Sequence, residues 1–599
     1  MPKAVYDFVV VGAGTAGSLL SSRLAAANYS VLLLEAGPSN HVSKITPWLR
    51  VPLGYLYTMT MPSTSWKGFQ TNVGSRTIHY PRGRVLGGCS SINGMIYQQG
   101  QPSDYDDWNS PGWSGSEMTK MFDRFHNDLS PRPPSCARSP PNPSNPTWPC
   151  SPQRLSWDVL SSFQLAVEEV VPLANAAPNV GGGGRFVDSS VECCGPFLVN
   201  QRNGVRVSAY DAFVAGPLGG EVGGPVPLLA HNNEEEKDVD GGGDGPRPAK
   251  KGSLSVRAGS FVRSLLFDGE NTKEDGKGRP ARAVGVEFWN EPSPGVVDDS
   301  KTHRVYAGKE VLLCTGSIGS PHLLQVSGIG DAAELKEKGV EKIVADLPGV
   351  GKNLQDHLQI RSIYRLKDGT VSLNSMANSL IGRALMGLEY GLLRRGPLSM
   401  APSQVGAFLK SSPDVPHPDL QWHVQPLSLD AFGQPLHPFP GMTAAVCVLR
   451  PTSRGSVTLK SKDIRDPPDI ECNYLKTPRD KDIARKGLRL TRKIVLESGA
   501  MSKYNPSELL PGPGAVSDSD LDAAALKIGT SIFHPVGTCK MGAGPDAVVD
   551  ERLRVHGVRG LRVVDASIMP NITSGNTNTP TLAIAEKGAD MIIEDWAGR

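Results

Sequence analysis

Two groups of residues at opposite ends of this chain carry its chemistry. Near the C-terminus stand His534, in His534-Pro-Val-Gly-Thr538, and Asn576, in Gly575-Asn576-Thr-Asn578-Thr-Pro580. An imidazole titrates near neutrality and can take or return a proton. A carboxamide can hold an oxygen but does not titrate. This pair reads as acid/base machinery. Near the N-terminus a strand-like run, residues 7–11, feeds Gly12-Ala-Gly14-Thr15-Ala-Gly17 and an Ala/Leu-rich helix. Gly12 allows the tight turn out of the strand, Gly14 lets the backbone approach a pyrophosphate, and Gly17 lets the helix pack closely on the sheet. A second apolar run, residues 31–34, ends in Glu35, placed to accept a hydrogen bond from a ribose hydroxyl. A carboxylate there argues against a ribose 2′-phosphate, and so against NADP. A plain Gly-rich turn in an ordinary α/β fold would not require strand, turn, helix and acid in register.

These elements belong to a chain too long for one core. With 599 residues, two or more domains are expected. Hydrophobic content of 39% and charge of 20% describe a soluble globular protein. A net charge of +2 offers no broad field to attract nucleic acid or an anionic membrane. No apolar run is long enough to span a bilayer. The first strand begins within ten residues of the start, which leaves no signal peptide in this sequence. The compartment stays open, a chloroplast or other organelle being expected only if a transit peptide has been removed. Of nine cysteines, Cys193 and Cys194 are adjacent, and Cys136 and Cys150 form a candidate pair in a Pro-rich tract. Cys89, Cys314, Cys447, Cys472 and Cys539 read as buried thiols, which favours a reducing compartment.

Segments 131–152, 232–252 and 268–282 are Pro-, Gly- or charge-rich and read as surface insertions; 181–184 is a run of glycines. Between them, residues 254–258, 262–267 and 283–288 read as a β-meander. Residues 310–314 form a buried strand that enters a turn and a helix begun by Ser320-Pro321. Helices are expected over 378–393, 480–496 and 581–596, and further strands over 443–449, 455–459 and 561–565.

Five blocks together resemble the glucose–methanol–choline oxidoreductases over nearly the whole chain. They are Gly12–Gly17 with Glu35; Gly83-Arg-Val-Leu-Gly-Gly-Cys-Ser-Ser-Ile-Asn-Gly94; Gly316-Ser-Ile-Gly-Ser-Pro321 through Ser327-Gly-Ile-Gly330; Leu347-Pro-Gly-Val-Gly-Lys-Asn-Leu-Gln-Asp356; and His534 through Gly542 with Val564-Asp565 and Gly575-Asn576. The form Ser91-Ile-Asn-Gly-Met95 looks most like the choline and alkanol dehydrogenase-like members. The resemblance implies an α/β fold with an α+β substrate lobe. Residues 1–130, 185–355 and 530–599 would mainly form a Rossmann-like FAD-binding domain; residues 131–184 and 356–529 would mainly form a sheet-based substrate domain facing the flavin.

It also implies FAD. Some members tether the flavin through a histidine where this chain has Ile92, so non-covalent binding is expected. Gly87-Gly88 and Asn93-Gly94 would approach the isoalloxazine and pyrophosphate, Val262 the adenine, and Asp565-Ala566 the flavin-side phosphate and ribitol. Thr15 and Asn578 complete the expected cofactor contacts. His534 matches the family's catalytic histidine and Asn576 its second position, His or Asn among members. His534 would take the hydroxyl proton of a primary alcohol as hydride passes to flavin N5, with one ionisation near neutrality. His423 is a further candidate for the pocket wall. The expected partners are a small-molecule alcohol and oxygen or another electron acceptor. The photodecarboxylase branch lacks the histidine at position 534 and carries a pocket cysteine and arginine where Ser403 and His423 stand, which disfavours that reading. A hydroxynitrile lyase, or a flavin-binding protein without turnover, remains an alternative.

Overall fold

The computed structural model describes residues 6–37, 47–128, 146–173, 189, 191–215, 251–268, 280–290, 302–431 and 433–598. Most of the expected insertions, the glycine run 181–184 and Cys136 lie outside the described residues.

Two seven-stranded sheets organise the chain. The first has a parallel core. Tyr6–Val11 lies between Val31–Leu34 and Thr302–Leu313; Leu254–Arg257 adds to Val31–Leu34, and Leu561–Val563 adds to Thr302–Leu313. The Val/Leu runs in Tyr6–Val11 and Val31–Leu34 have almost no polar alternation because these strands of a parallel sheet are buried on both faces. Ser260–Asp268 and Arg282–Asn290 continue the sheet antiparallel. Residues 254–258 therefore leave the expected meander: Leu254–Arg257 pairs in parallel with Val31–Leu34, and Thr302–Leu313 supplies the meander's third strand.

The chain ends meet on this sheet. Helix Thr15–Ala26 packs against the last helix, Asn578–Trp596, and Arg23 forms a buried ion pair with Glu586 at 2.9 Å. Leaving either charge alone in that interior would cost far more than the pair contributes. The last helix begins at Asn578, three residues earlier than expected.

The second sheet is antiparallel, in the order Ser507–Leu510, Leu358–Arg365, Gly441–Val448, Leu420–Gln425, Val405–Leu409, Cys193–Pro196, with Gly529–Ser531 also on Leu358–Arg365. One face is covered by helix Pro478–Arg492, where Trp422 Nε1 donates to Thr491 Oγ1 at 2.8 Å. Strand alternation then sends His423 and Gln425 to the opposite face, toward a central cavity.

Several boundaries move. Residues 193–196, grouped by sequence with the cofactor domain, form an edge strand of the second sheet. The tract 131–152 ends in a strand, Trp148–Cys150, whose Trp148 is fully buried, so that end is not a surface insertion. Asp268 and Arg282, at the limits of another expected insertion, pair as the last residue of one strand and the first of the next. The helix expected over 480–496 runs from Pro478 to Arg492 and ends in a wider turn, Lys493–Glu497.

Candidate active site

A cavity of about 530 Å³ runs between the two sheets. At one end the glycine turn leaves the first strand. Gly12 has φ +98°, and a Cβ there would stand 2.7 Å from the Cys314 carbonyl oxygen. At Gly17 a Cβ would lie 1.9 Å from the Gly12 carbonyl oxygen, so this residue holds helix to turn from behind the cavity. Gly14 differs: a Cβ would meet nothing closer than 4.0 Å and would project into open space beside the backbone. Glu35 is buried at the end of its strand and accepts from Ala13 N at 3.0 Å and Gly37 N at 2.9 Å. Burial pushes its carboxyl pKa up, against those hydrogen bonds and nearby Arg84.

Thr15, Glu35, Gly88, Asn93, Gly94, Val262, Asp565, Ala566 and Asn578 all line the cavity, together with Gly12 and Gly14. Gly87 does not: at φ +87° it closes the loop onto the glycine turn, its N–H donating to Ala13 O at 2.8 Å. Asp565 borders the cavity, but its carboxylate faces inward. It accepts from Gly316 N at 2.9 Å, Ser320 Oγ at 2.6 Å and Ser567 N at 2.8 Å. The part of this turn left to meet a cofactor is backbone. Thr15 Oγ1 donates to Asn578 Oδ1 at 2.8 Å, while Asn578 Nδ2 is buried with no acceptor. A dinucleotide fits this wall: a turn open above Gly14, a buried amide lacking an acceptor, and a carboxylate at the strand end.

At the other end His534 and Asn576 meet. Asn576 Nδ2 donates to His534 Nε2 at 3.0 Å. Behind His534 lies His357, which sequence reasoning missed although it directly follows the block ending in Asp356. His357 Nε2 lies 2.9 Å from the Leu449 carbonyl oxygen, which can only accept. The proton of neutral His357 is therefore on Nε2, and its Nδ1 is an acceptor. His534 Nδ1, 3.1 Å away, must be the donor. This chain leaves the lone pair of neutral His534 on Nε2, the atom beside Asn576. Asp356 holds both histidines: its Oδ1 accepts from His534 N at 2.7 Å and from His357 N at 2.9 Å. Its other oxygen takes Tyr80 OH at 2.8 Å and Ser531 Oγ at 2.5 Å, along with Tyr474 OH.

Burial, then the neighbouring His357, His423 and Arg82, hold the His534 pKa well below the usual histidine value. The expected ionisation near neutrality thus moves to lower pH. His423 does line the cavity, stacked on Phe197 at 5.2 Å between ring centroids. Both of its ring nitrogens are buried without partners, and burial pushes its pKa down to about 3. Gln359, Gln425, Ser403, Met95, Ile96 and Phe533 complete this end. Among the described residues no cluster could hold a metal ion, and no helix is long and apolar enough to cross a membrane.

A dinucleotide cradle joined to a buried histidine–amide pair defines a flavin-dependent oxidoreductase of the two-sheet kind. The chain belongs to the GMC oxidoreductase family, which it matches over residues 6–216 and 247–359 and again over 451–585. It is 34% identical to an alcohol dehydrogenase [acceptor] of Pseudomonas putida, covering 98% of this chain and 96% of that one. It is 34% identical to the mitochondrial choline dehydrogenase of Homo sapiens, covering 98% and 89%. Among solved structures it resembles pyridoxine 4-oxidase from Mesorbium loti, with a TM-score of 0.74, 25% identity and 99% of each chain covered. The protein is an oxidoreductase, and its cofactor is FAD.

Proposed function

We propose that this protein oxidises a neutral primary alcohol to the aldehyde, with His534 as the base. The observation that carries the reading is the hydrogen-bond chain from the Leu449 carbonyl through His357 to His534, which leaves the His534 lone pair on Nε2, where Asn576 Nδ2 donates and where an alcohol hydroxyl would take over as donor. FAD, when bound, supplies the acceptor for the two electrons and the carbon-bound hydrogen that leave as hydride. The protein's part is to bind the alcohol oxygen and remove its proton. Asn576 Nδ2 donates toward that oxygen, and His534 Nε2 takes the hydroxyl proton as the carbon gives up hydride. Burial keeps His534 neutral.

The cavity wall also selects against a cation. Its acidic residues are Glu35 and Asp565, and both sets of carboxylate oxygens accept from nearby backbone or hydroxyl donors in the cofactor half. Around His534 stand apolar side chains, two glutamines, neutral His423 and the cationic Arg82. A quaternary ammonium would lose its hydration with no counter-ion to replace it. Choline, named for the human relative, is therefore expected to fail where neutral aliphatic or aromatic primary alcohols succeed. The test is anaerobic flavin bleaching across an alcohol panel that includes choline, followed by air. Bleaching by choline ahead of every neutral alcohol would reject the substrate class; no bleaching by any alcohol would reject the reaction.

A further inference from the structure

Helix Leu380–Leu393 presents an apolar surface to solvent and contributes no residue to the cavity lining. Its sequence is Leu-Ile-Gly-Arg-Ala-Leu-Met-Gly-Leu-Glu-Tyr-Gly-Leu-Leu. Only Met386 and Tyr390 are buried, the latter donating its hydroxyl to Gly204 O at 3.1 Å. At about 100° per residue, Leu380, Ala384, Leu388, Ile381, Leu392 and Leu385 fall within an arc of about 140° that contains no charged side chain. The five large members of this arc are between 57% and 83% exposed. Single exposed leucines are ordinary; a continuous face of five on one helix is not.

The flanks are basic. Arg383, Arg394, Arg395 and Arg154 are exposed around the helix, and Arg154 donates to Leu393 O at 3.4 Å. The helix has one acid, Glu389, which pairs with Arg395 at 3.2 Å. A chain of packed segments also links the helix to the cavity. The helix packs on Pro397–Ser399, which packs on Pro52–Gly54, and that turn leads into Tyr55–Thr58. Tyr55 and Met59 line the cavity. On the outside of the same segment Tyr57 and Trp48, 5.4 Å apart between ring centroids, are both exposed. Amphipathic aromatic rings of this kind suit the headgroup level of a bilayer.

We propose that helix Leu380–Leu393 docks this protein on an anionic lipid bilayer, lying in the plane of the interface. The charge pattern selects this occupant. An apolar face rimmed by arginines matches lipid tails below anionic headgroups. A second copy of the chain would bring a rim of the same sign against it. Fourteen residues rise only about 21 Å, short of the roughly 30 Å hydrocarbon core, so the helix rests on the membrane and does not span it.

The test uses the full FAD-loaded chain in flotation with vesicles of phosphatidylcholine alone and of phosphatidylcholine with about a third phosphatidylglycerol. The wild type should float with the anionic vesicles and much less with the neutral ones, and rising salt should weaken it. The triple variant Ile381→Gln, Leu388→Gln, Leu392→Gln should lose flotation with both. The triple variant Arg383→Gln, Arg394→Gln, Arg395→Gln should bind anionic vesicles roughly fivefold more weakly per arginine removed and keep its weak binding to neutral ones. Both variants should keep FAD content and the solution rate of flavin bleaching, which separates lost docking from lost fold. Equal failure of wild type with both vesicles would overturn the proposal. So would flotation that the leucine-face variant leaves unchanged. A dimer in sedimentation that this variant alone dissolves, without vesicle binding by wild type, would assign the face to self-association instead.

Discussion

Replacing His357 by Leu tests the tautomer chain without touching the base itself. In the wild type the Leu449 carbonyl fixes the proton of His357 on Nε2, so Nδ1 accepts from His534. Leucine removes that acceptor. His534 Nδ1–H would then be buried without a partner, at a cost of about 1–3 kcal/mol. The alternative tautomer relieves this cost by moving the proton to Nε2, but it sets an N–H against the Asn576 Nδ2 donor and abolishes the lone pair facing the cavity. The productive tautomer is therefore disfavoured by about 5–150-fold, and the rate of flavin reduction should fall in that range. FAD content should not change, because no cofactor-lining side chain is altered. His357→Asn, which keeps an acceptor on a shorter side chain, should recover part of the loss. The assay is anaerobic stopped-flow reduction by the best alcohol at matched FAD occupancy. A His357→Leu rate within twofold of wild type would refute the tautomer argument, and His357 would be left as packing.

Four further outcomes follow from the same geometry. His534→Ala should lower the reduction rate by roughly 10²–10⁴-fold while FAD stays bound, and equal rates would remove His534 from the chemistry. Because burial lowers its pKa and the base form is neutral, the wild-type reduction rate should stay on its plateau as pH falls through about 6.5, the ordinary histidine value; a midpoint at or above that value would count against the burial argument. Gly14→Ala should give folded protein with weakened FAD binding, since its Cβ enters open cavity, whereas Gly17→Ala should cost fold stability, since its Cβ strikes the Gly12 carbonyl; thermal melts and FAD titration separate the two. With buried Ile92 at the position of the family's tethering histidine, acid precipitation should release intact FAD into the supernatant, and yellow pellets would contradict that.

Much of the cofactor end was legible in sequence because its signal is local. Strand, glycine turn, helix and Glu35 lie within thirty-five residues, and each has its own periodicity or steric demand. The elements read least well were those whose partners are distant. Leu254–Arg257 has a strand's pattern, but nothing in it tells whether it joins a meander or the edge of a parallel sheet. Asp565 was read toward the cofactor, yet its carboxylate is consumed by Gly316, Ser320 and Ser567. Gly87 was grouped with Gly88, and only the backbone turn shows that one faces the cavity and its neighbour does not.

The sequence by itself determined the family and its cofactor, and it singled out His534 and Asn576, which line one cavity. Tertiary structure decided how they are arranged. It brought His357 against His534 across 177 residues, and Thr15 against Asn578 across 563. It also enclosed His534 deeply enough to depress its pKa. A proton's position on an imidazole depends on which acceptor its other nitrogen meets, and its pKa on how much water the surrounding chain excludes. Both are set by contacts between segments remote in sequence, which no local pattern records.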